Sequence, residues 1–173
     1  AGRTTKAVEG SRILRTGLKA GTIAPDFTLP ALDGSQLSLR SYIGRKVLLV
    51  FSDPNCGPCQ LLAPALEMIH RRARDVHVLM ISRGDADTNR EKAAEHRLTF
   101  PIALQRHWEI SRAYGMFATP IAYLVRTDGV LAHDVAVGGG GVLGLPGGGG
   151  APEQSYQTAE GGGGKEGKNR KNL

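Results

Sequence analysis

Val47-Leu48-Leu49-Val50-Phe51-Ser52-Asp53-Pro54-Asn55-Cys56-Gly57-Pro58-Cys59-Gln60-Leu61-Leu62-Ala63-Pro64-Ala65-Leu66 reads as a buried strand, a turn and a helix, with both cysteines of the chain at the junction. Two intervening residues let the sulfurs meet at the first helical turn. Unpaired backbone N–H groups and the positive end of the helix dipole there favour a thiolate over a thiol. Cys56 is then the attacking sulfur and Cys59 the resolving one. Zinc would need about four ligands, and the chain has no second CxxC and no close histidine pair. A purely structural disulfide across so short a loop would add little stability, because the gain grows with loop length. The pattern points to a redox pair that needs no metal and no organic cofactor.

Working outward, residues 21–39 form two short alternating segments around the turn signal Asp33-Gly34, which predicts a β-hairpin. A second buried strand is expected over Val76 to Ile81. Asp85, Ala86 and Asp87 follow as a capping stretch for a helix from about Thr88 to Arg97. Phe100 to Leu104 reads as a short strand and His107 to Tyr114 as a helix. After Thr119-Pro120 come a strand at Ile121 to Val125, a turn at Thr127-Asp128-Gly129 and a last strand from Val130 to Val137. Strands alternating with helices and a closing hairpin make a mixed α/β sheet.

At 173 residues and 40% apolar content the chain can build one domain with a real core. The stretch from Gly138 to Gly167 holds 14 of the 24 glycines, so it reads as a flexible tail in which any final helix is short or absent. The formal net charge of +6 sits in the ends, +4 over residues 1–20 and +3 over 161–173, which leaves the middle slightly acidic. No basic helical stripe accompanies it, so the charge does not argue for nucleic acid. No apolar run approaches the roughly 20 residues of a membrane-spanning helix. The sequence opens at Ala1 rather than a methionine, consistent with a leader or anchor removed or omitted upstream.

Cys56-Gly57-Pro58-Cys59 with Ala63-Pro64 in the following helix resembles the active-site helix of the thioredoxin superfamily. Ala24-Pro25-Asp26-Phe27-Thr28-Leu29-Pro30 with Asp33-Gly34 is similar to the redoxin branch, which includes peroxiredoxins and the membrane-associated thiol-disulfide reductases of the TlpA, ResA and MauD type. The long segment between Ile81 and Phe100 resembles the insertion those reductases carry. The likeness covers roughly residues 21 to 137. It implies a thioredoxin-like α/β fold, a mixed central sheet flanked by helices with an N-terminal β-hairpin extension. That domain would span residues 21–145, between a basic extension at 1–20 and a glycine-rich basic tail at 146–173.

The resemblance also implies a thiol-disulfide oxidoreductase whose partners are protein disulfides and a thiol electron donor. Pro58 is similar to the reducing members, and the branch leans toward a periplasmic or membrane-associated setting, with the cytoplasm left open. Thr119-Pro120 matches the superfamily's cis-proline loop facing the disulfide, where a proline without an N–H leaves Thr119 to pair with an extended substrate. Thr119, Pro120, Gly57 and Pro58 are therefore the expected substrate-binding residues.

Three family positions differ. Pro54-Asn55 stands where thioredoxin has an aromatic residue before its first cysteine. Thioredoxin's buried acid falls on Val50, and the ResA-type glutamate falls on Leu62. Cys59 must still lose a proton to attack a mixed disulfide. Asp53 is the nearest acid in sequence and the candidate acceptor; its ordinary alternative is turn formation with Pro54. His70, His77, His96, His107 and His133 are scattered singly and read as surface or packed residues, and Trp108 as core or helix surface.

Two other functions compete with this reading. Peroxide reduction of the peroxiredoxin kind would show Pro-x-x-x-Thr/Ser-x-x-Cys; the register from Cys56 meets Asp53 and Leu49, and that from Cys59 meets Cys56 and Ser52. A non-catalytic binding module would not need a reactive pair, yet CGPC is intact.

Overall fold

The computed structural model describes residues 16–146. In chain order the elements are β1 (Thr28–Pro30), β2 (Gln36–Ser38), a 3-10 turn (Leu39–Tyr42), β3 (Lys46–Ser52), α1 (Gly57–Arg72), β4 (Val76–Arg83), α2 (Ala86–Glu95), β5 (Ile102–Gln105), α3 (Glu109–Ala113), β6 (Ile121–Val125), β7 (Ala136–Val137) and α4 (Gly138–Gly144). The central sheet runs β5-β4-β3-β6-β7, and β1 pairs with β2 apart from it. Parallel pairing joins β3, β4 and β5, while β6 is antiparallel to β3 and β7 to β6. This is the mixed sheet with an N-terminal hairpin that the sequence predicts.

Strand β3 is the centre of the molecule because Val47 to Phe51 are apolar on both sides, and alternate residues enter two separate cores. Val47, Leu49 and Phe51 join Leu79, Ile81, Tyr114 and Tyr123 on one face. Leu48 and Val50 meet Leu62 and Leu66 of α1 and Val142 of α4 on the other. The tyrosines are buried with partners for their hydroxyls: Tyr114 Oη donates to the Pro25 carbonyl and Tyr123 Oη to the Tyr114 carbonyl, both at 2.7 Å. Burial raises both phenol pKa values, so they stay neutral.

Packing begins ahead of residue 21. The Leu18 N–H donates to Tyr123 Oη, Ala20 N–H to Asp134 Oδ1, and Gly17 N–H to the Gly115 carbonyl. Gly17 has φ +78°, and a Cβ there would come within 2.6 Å of Val135 Cγ1. These contacts explain why the expected last strand, Val130 to Val137, is broken. Leu131 makes one bridge to Val125, then the chain leaves the ladder to receive the N-terminal segment at Asp134 and Val135, and only Ala136–Val137 pair again.

Other boundaries move for local reasons. Helix α2 starts two residues early because Asp85 caps it, accepting from Thr88 N–H at 2.7 Å. It ends at His96, with Arg97 at φ 52° and bonds from Arg97 N–H to Ala94 and from Leu98 N–H to Ala93, the Schellman pattern. Helix α3 is shorter than His107 to Tyr114 because Gln105 Oε1 accepts from Ile110 and Ser111 N–H and fixes the start. Helix α4 is short, as expected, yet its four leading glycines are helical rather than tail. The basic residues 1–15 and the tail from residue 147 onward lie outside the described residues.

Candidate active site

The site sits where β3 runs out into α1. Asp53 Oδ1 accepts from Asn55 N–H at 2.8 Å, and the Asp53 carbonyl accepts from Cys56 N–H at 3.2 Å and from Gln60 Nε2 at 3.3 Å. That turn delivers Cys56 as the N-cap of α1. Cys56 Sγ receives the Cys59 N–H at 3.3 Å, a backbone donor that would stabilise a thiolate. Pro58 lies in the first turn, where a missing N–H costs no helical bond.

Cys56 and Cys59 form a disulfide with their Cα atoms 5.2 Å apart. Cys56 is partly exposed and Cys59 is 2% exposed. Gly57 and Pro58 are exposed between them, and nothing lies within 4 Å of where a Gly57 Cβ would be. The Thr119-Pro120 peptide is cis, and the Thr119 carbonyl stands 3.6 Å from Cys56 Sγ. The Pro120 carbonyl accepts from Gly138 N–H at 2.9 Å, which joins this loop to the start of α4. Residues 63 apart in sequence thus meet across the disulfide.

Asp53 is occupied. Its Oδ2 accepts from Arg83 Nη1 at 3.1 Å, with both side chains largely covered. Arg83 Nε donates to the His107 carbonyl, and the guanidinium lies 3.7 Å over the Trp108 ring. Trp108 meets Phe117 edge-on at 5.8 Å. A chain of contacts, Asp53 to Arg83 to Trp108 to Phe117, therefore links the cysteine turn to the segment entering Thr119-Pro120. Sequence reading missed Arg83 altogether and took Trp108 as core or helix surface, since no motif ties a strand end to an aromatic residue 25 positions on.

The positions where the family places an acid are apolar in space as well: Val50 is 0% and Leu62 4% exposed, both in the aliphatic core. The buried acid of α1 is Glu67, further along the helix. Burial pushes its pKa up, but hydrogen bonds from Thr99 Oγ1, Thr99 N–H (2.9 Å) and Arg71 Nε (3.0 Å) outweigh this and hold it below the usual range. Glu67 ties α1 to the segment before β5.

The AhpC/TSA family profile matches residues 20–134. The chain is 33% identical over 118 residues to the thiol-disulfide oxidoreductase ResA of Geobacillus thermodenitrificans, covering 66% of this chain and 68% of that protein. It is 32% identical over 127 residues to the thioredoxin-like protein YneN of Bacillus subtilis, covering 70% and 74%. The thioredoxin domain of a thiol-disulfide oxidoreductase from Bacteroides vulgatus has the same fold, with a TM-score of 0.66 at 20% identity over 73% of this chain and 94% of that one. A family match over well more than half the chain, carried on a thioredoxin-like fold with its cysteine pair at the strand-to-helix junction, makes this chain a member of the AhpC/TSA family, among its thiol-disulfide oxidoreductases.

Proposed function

We propose that the protein reduces protein disulfides, with Cys56 as nucleophile and Cys59 as resolving thiol. The Cys56 thiolate attacks one sulfur of the substrate disulfide, forms a mixed disulfide and expels the other sulfur as a thiolate. Cys59 then gives up its proton and attacks Cys56 Sγ, the mixed disulfide breaks, and the second substrate thiolate leaves. The substrate gains two electrons, the pair becomes the Cys56–Cys59 disulfide, and a thiol donor reverses the exchange. The observation that carries the assignment is the asymmetry of the pair: Cys56 is reachable and faces a backbone N–H, whereas Cys59 is 2% exposed.

An extended substrate would lie along Thr119 and Pro120 above the open surface of Gly57 and Pro58, pairing with the Thr119 backbone beside Cys56. Asp53 serves this site by fixing the turn. Both its carboxylate oxygens already accept, from Asn55 and Arg83, and protonation would weaken the Arg83 ion pair.

Trapping tests the roles. Cys59→Ser should accumulate a mixed disulfide with a disulfide-containing protein, seen by mass, and Cys56→Ser should form none; the reverse pattern would exchange the roles. The direction of electron flow is read from the potential of the pair in thiol-disulfide buffers. About −270 mV supports a reductant, and about −120 to −180 mV would make it an oxidant or isomerase.

A further inference from the structure

Resolution needs a proton acceptor for Cys59, and Val50 and Leu62 supply none. Cys59 borders a cavity of about 20 Å³, enough for about one water. Its walls include Ser52, Ser82 and Asn89, with Gln60, Lys92 and His96. The Asn89 amide is already used, accepting from Ser82 Oγ at 2.5 Å and donating to the Arg83 and Asp85 carbonyls at 2.8 Å. Asn89 and Ser82 are fixed walls rather than acceptors for a passing proton.

His96 differs. The Schellman turn at Arg97 ends α2 at this residue, and His96 Nε2 lies 3.0 Å from Gln60 Oε1. Because Gln60 Nε2 donates to the Asp53 carbonyl, its Oε1 is the end that faces His96. An acceptor on Nε2 requires Nε2 to carry the proton, so the neutral ring keeps a lone pair on Nδ1. The ionisable groups lining the cavity are Lys92 and His96 from α2 and Cys59 from α1. Strands β3, β4 and β5 contribute Ser52, Met80, Ser82 and Ile102, none of them charged. Lys92 is paired with Glu95 at 3.3 Å, and an ammonium carries donors only.

We propose that His96, held in this tautomer by Gln60, is the proton-relay residue for Cys59, acting through a water in the cavity. The proton of Cys59 passes to the water as the water's own proton passes to Nδ1. The sulfur electron pair then attacks Cys56 Sγ, and the pair of the broken bond leaves with the substrate thiolate. The inference rests on the roles proposed for the two cysteines.

Stopped flow with reduced protein and the aromatic disulfide dithiobis-nitrobenzoate separates the two events. The first coloured thiolate reports Cys56 attack and the second reports Cys59 resolution. His96→Gln should slow the second phase about tenfold at neutral pH and change its pH profile, leaving the first phase unchanged. His96→Asn, which keeps a polar side chain at the end of α2 but no imidazole, should likewise slow the second phase alone, and it carries the test if His96→Gln does not fold. A second phase with the parent rate and pH profile in His96→Gln, or one slowed by Lys92→Met instead, overturns the proposal. If Cys56→Ser leaves the first phase intact, the underlying cysteine assignment fails instead.

Discussion

Helices α1 and α4 both pack on the aliphatic face of the sheet, and they hold their shape by different means. Helix α1 has 16 residues, a capping sulfur at its start, three basic side chains in its last turn and the Glu67 anchor. Helix α4 has seven residues, five of them glycine, with no side-chain cap and Val142 as its one buried residue. The first is helical by its own sequence as well as by packing. The second is helical because Val142 is drawn into the core and because Gly138 N–H is taken by the Pro120 carbonyl. The sulfurs therefore ride on the firm helix, and the cis-proline loop is backed by the weak one. Low local stability beside the proposed substrate loop is where segmental opening is cheapest.

The contrast can be broken or sharpened in stages. Removing the chemistry from the firm helix has the largest effect: Cys56→Ser should cut disulfide reduction by about a thousandfold or more, measured as turnover of a protein disulfide, with its unfolding midpoint little changed. Leu66→Ala, at a fully buried position of α1, should cost about 2–5 kcal/mol in urea unfolding. Val142→Ala should cost about 1–3 kcal/mol and should raise amide exchange in residues 138–145 before anywhere else in the core. Equal protection of α1 and α4 in that variant would remove the distinction.

Glu67→Gln should cost about 1–3 kcal/mol at neutral pH by weakening the bonds to Thr99 and Arg71. The sign of its pH dependence follows from a pKa depressed by folding. The carboxylate's contribution is complete above its unfolded value of about 4.3 and is lost as pH falls through the lower folded value. The urea midpoints of parent and variant should therefore draw together as pH falls below about 4.3. Gly140→Ala has the smallest effect and the opposite sign. Among the described residues nothing beyond the helix's own backbone lies within 4 Å of the added methyl, so α4 should gain about 0.5–1 kcal/mol.

What the sequence made legible is what local pattern controls. Strand β6 spans Ile121 to Val125 and β3 contains Val47 to Phe51 as read, because unbroken apolar runs specify strands covered on both faces. The cysteine pair and Thr119-Pro120 were legible because each is a short motif. The interrupted strand after Val130 was not, since its break is caused by the distant Gly17 and Ala20 pressing on Val135 and Asp134. Around the site, Arg83 escaped notice and His96 read only as a surface or packed residue for the same reason. Each acts through a contact some thirty or more residues away, Arg83 on Asp53 and His96 on Gln60, and neither stands in a recognisable pattern.

The burial of Cys59 has a further consequence for traffic. A molecule approaching from solvent meets one reachable sulfur, so the giver and the taker of electrons must use the same dock in turn, and neither can be served while the other is moored. Such a protein works as a ferry with one berth. Initial-rate plots against the two partners should be parallel, and a surplus of either should crowd out the other.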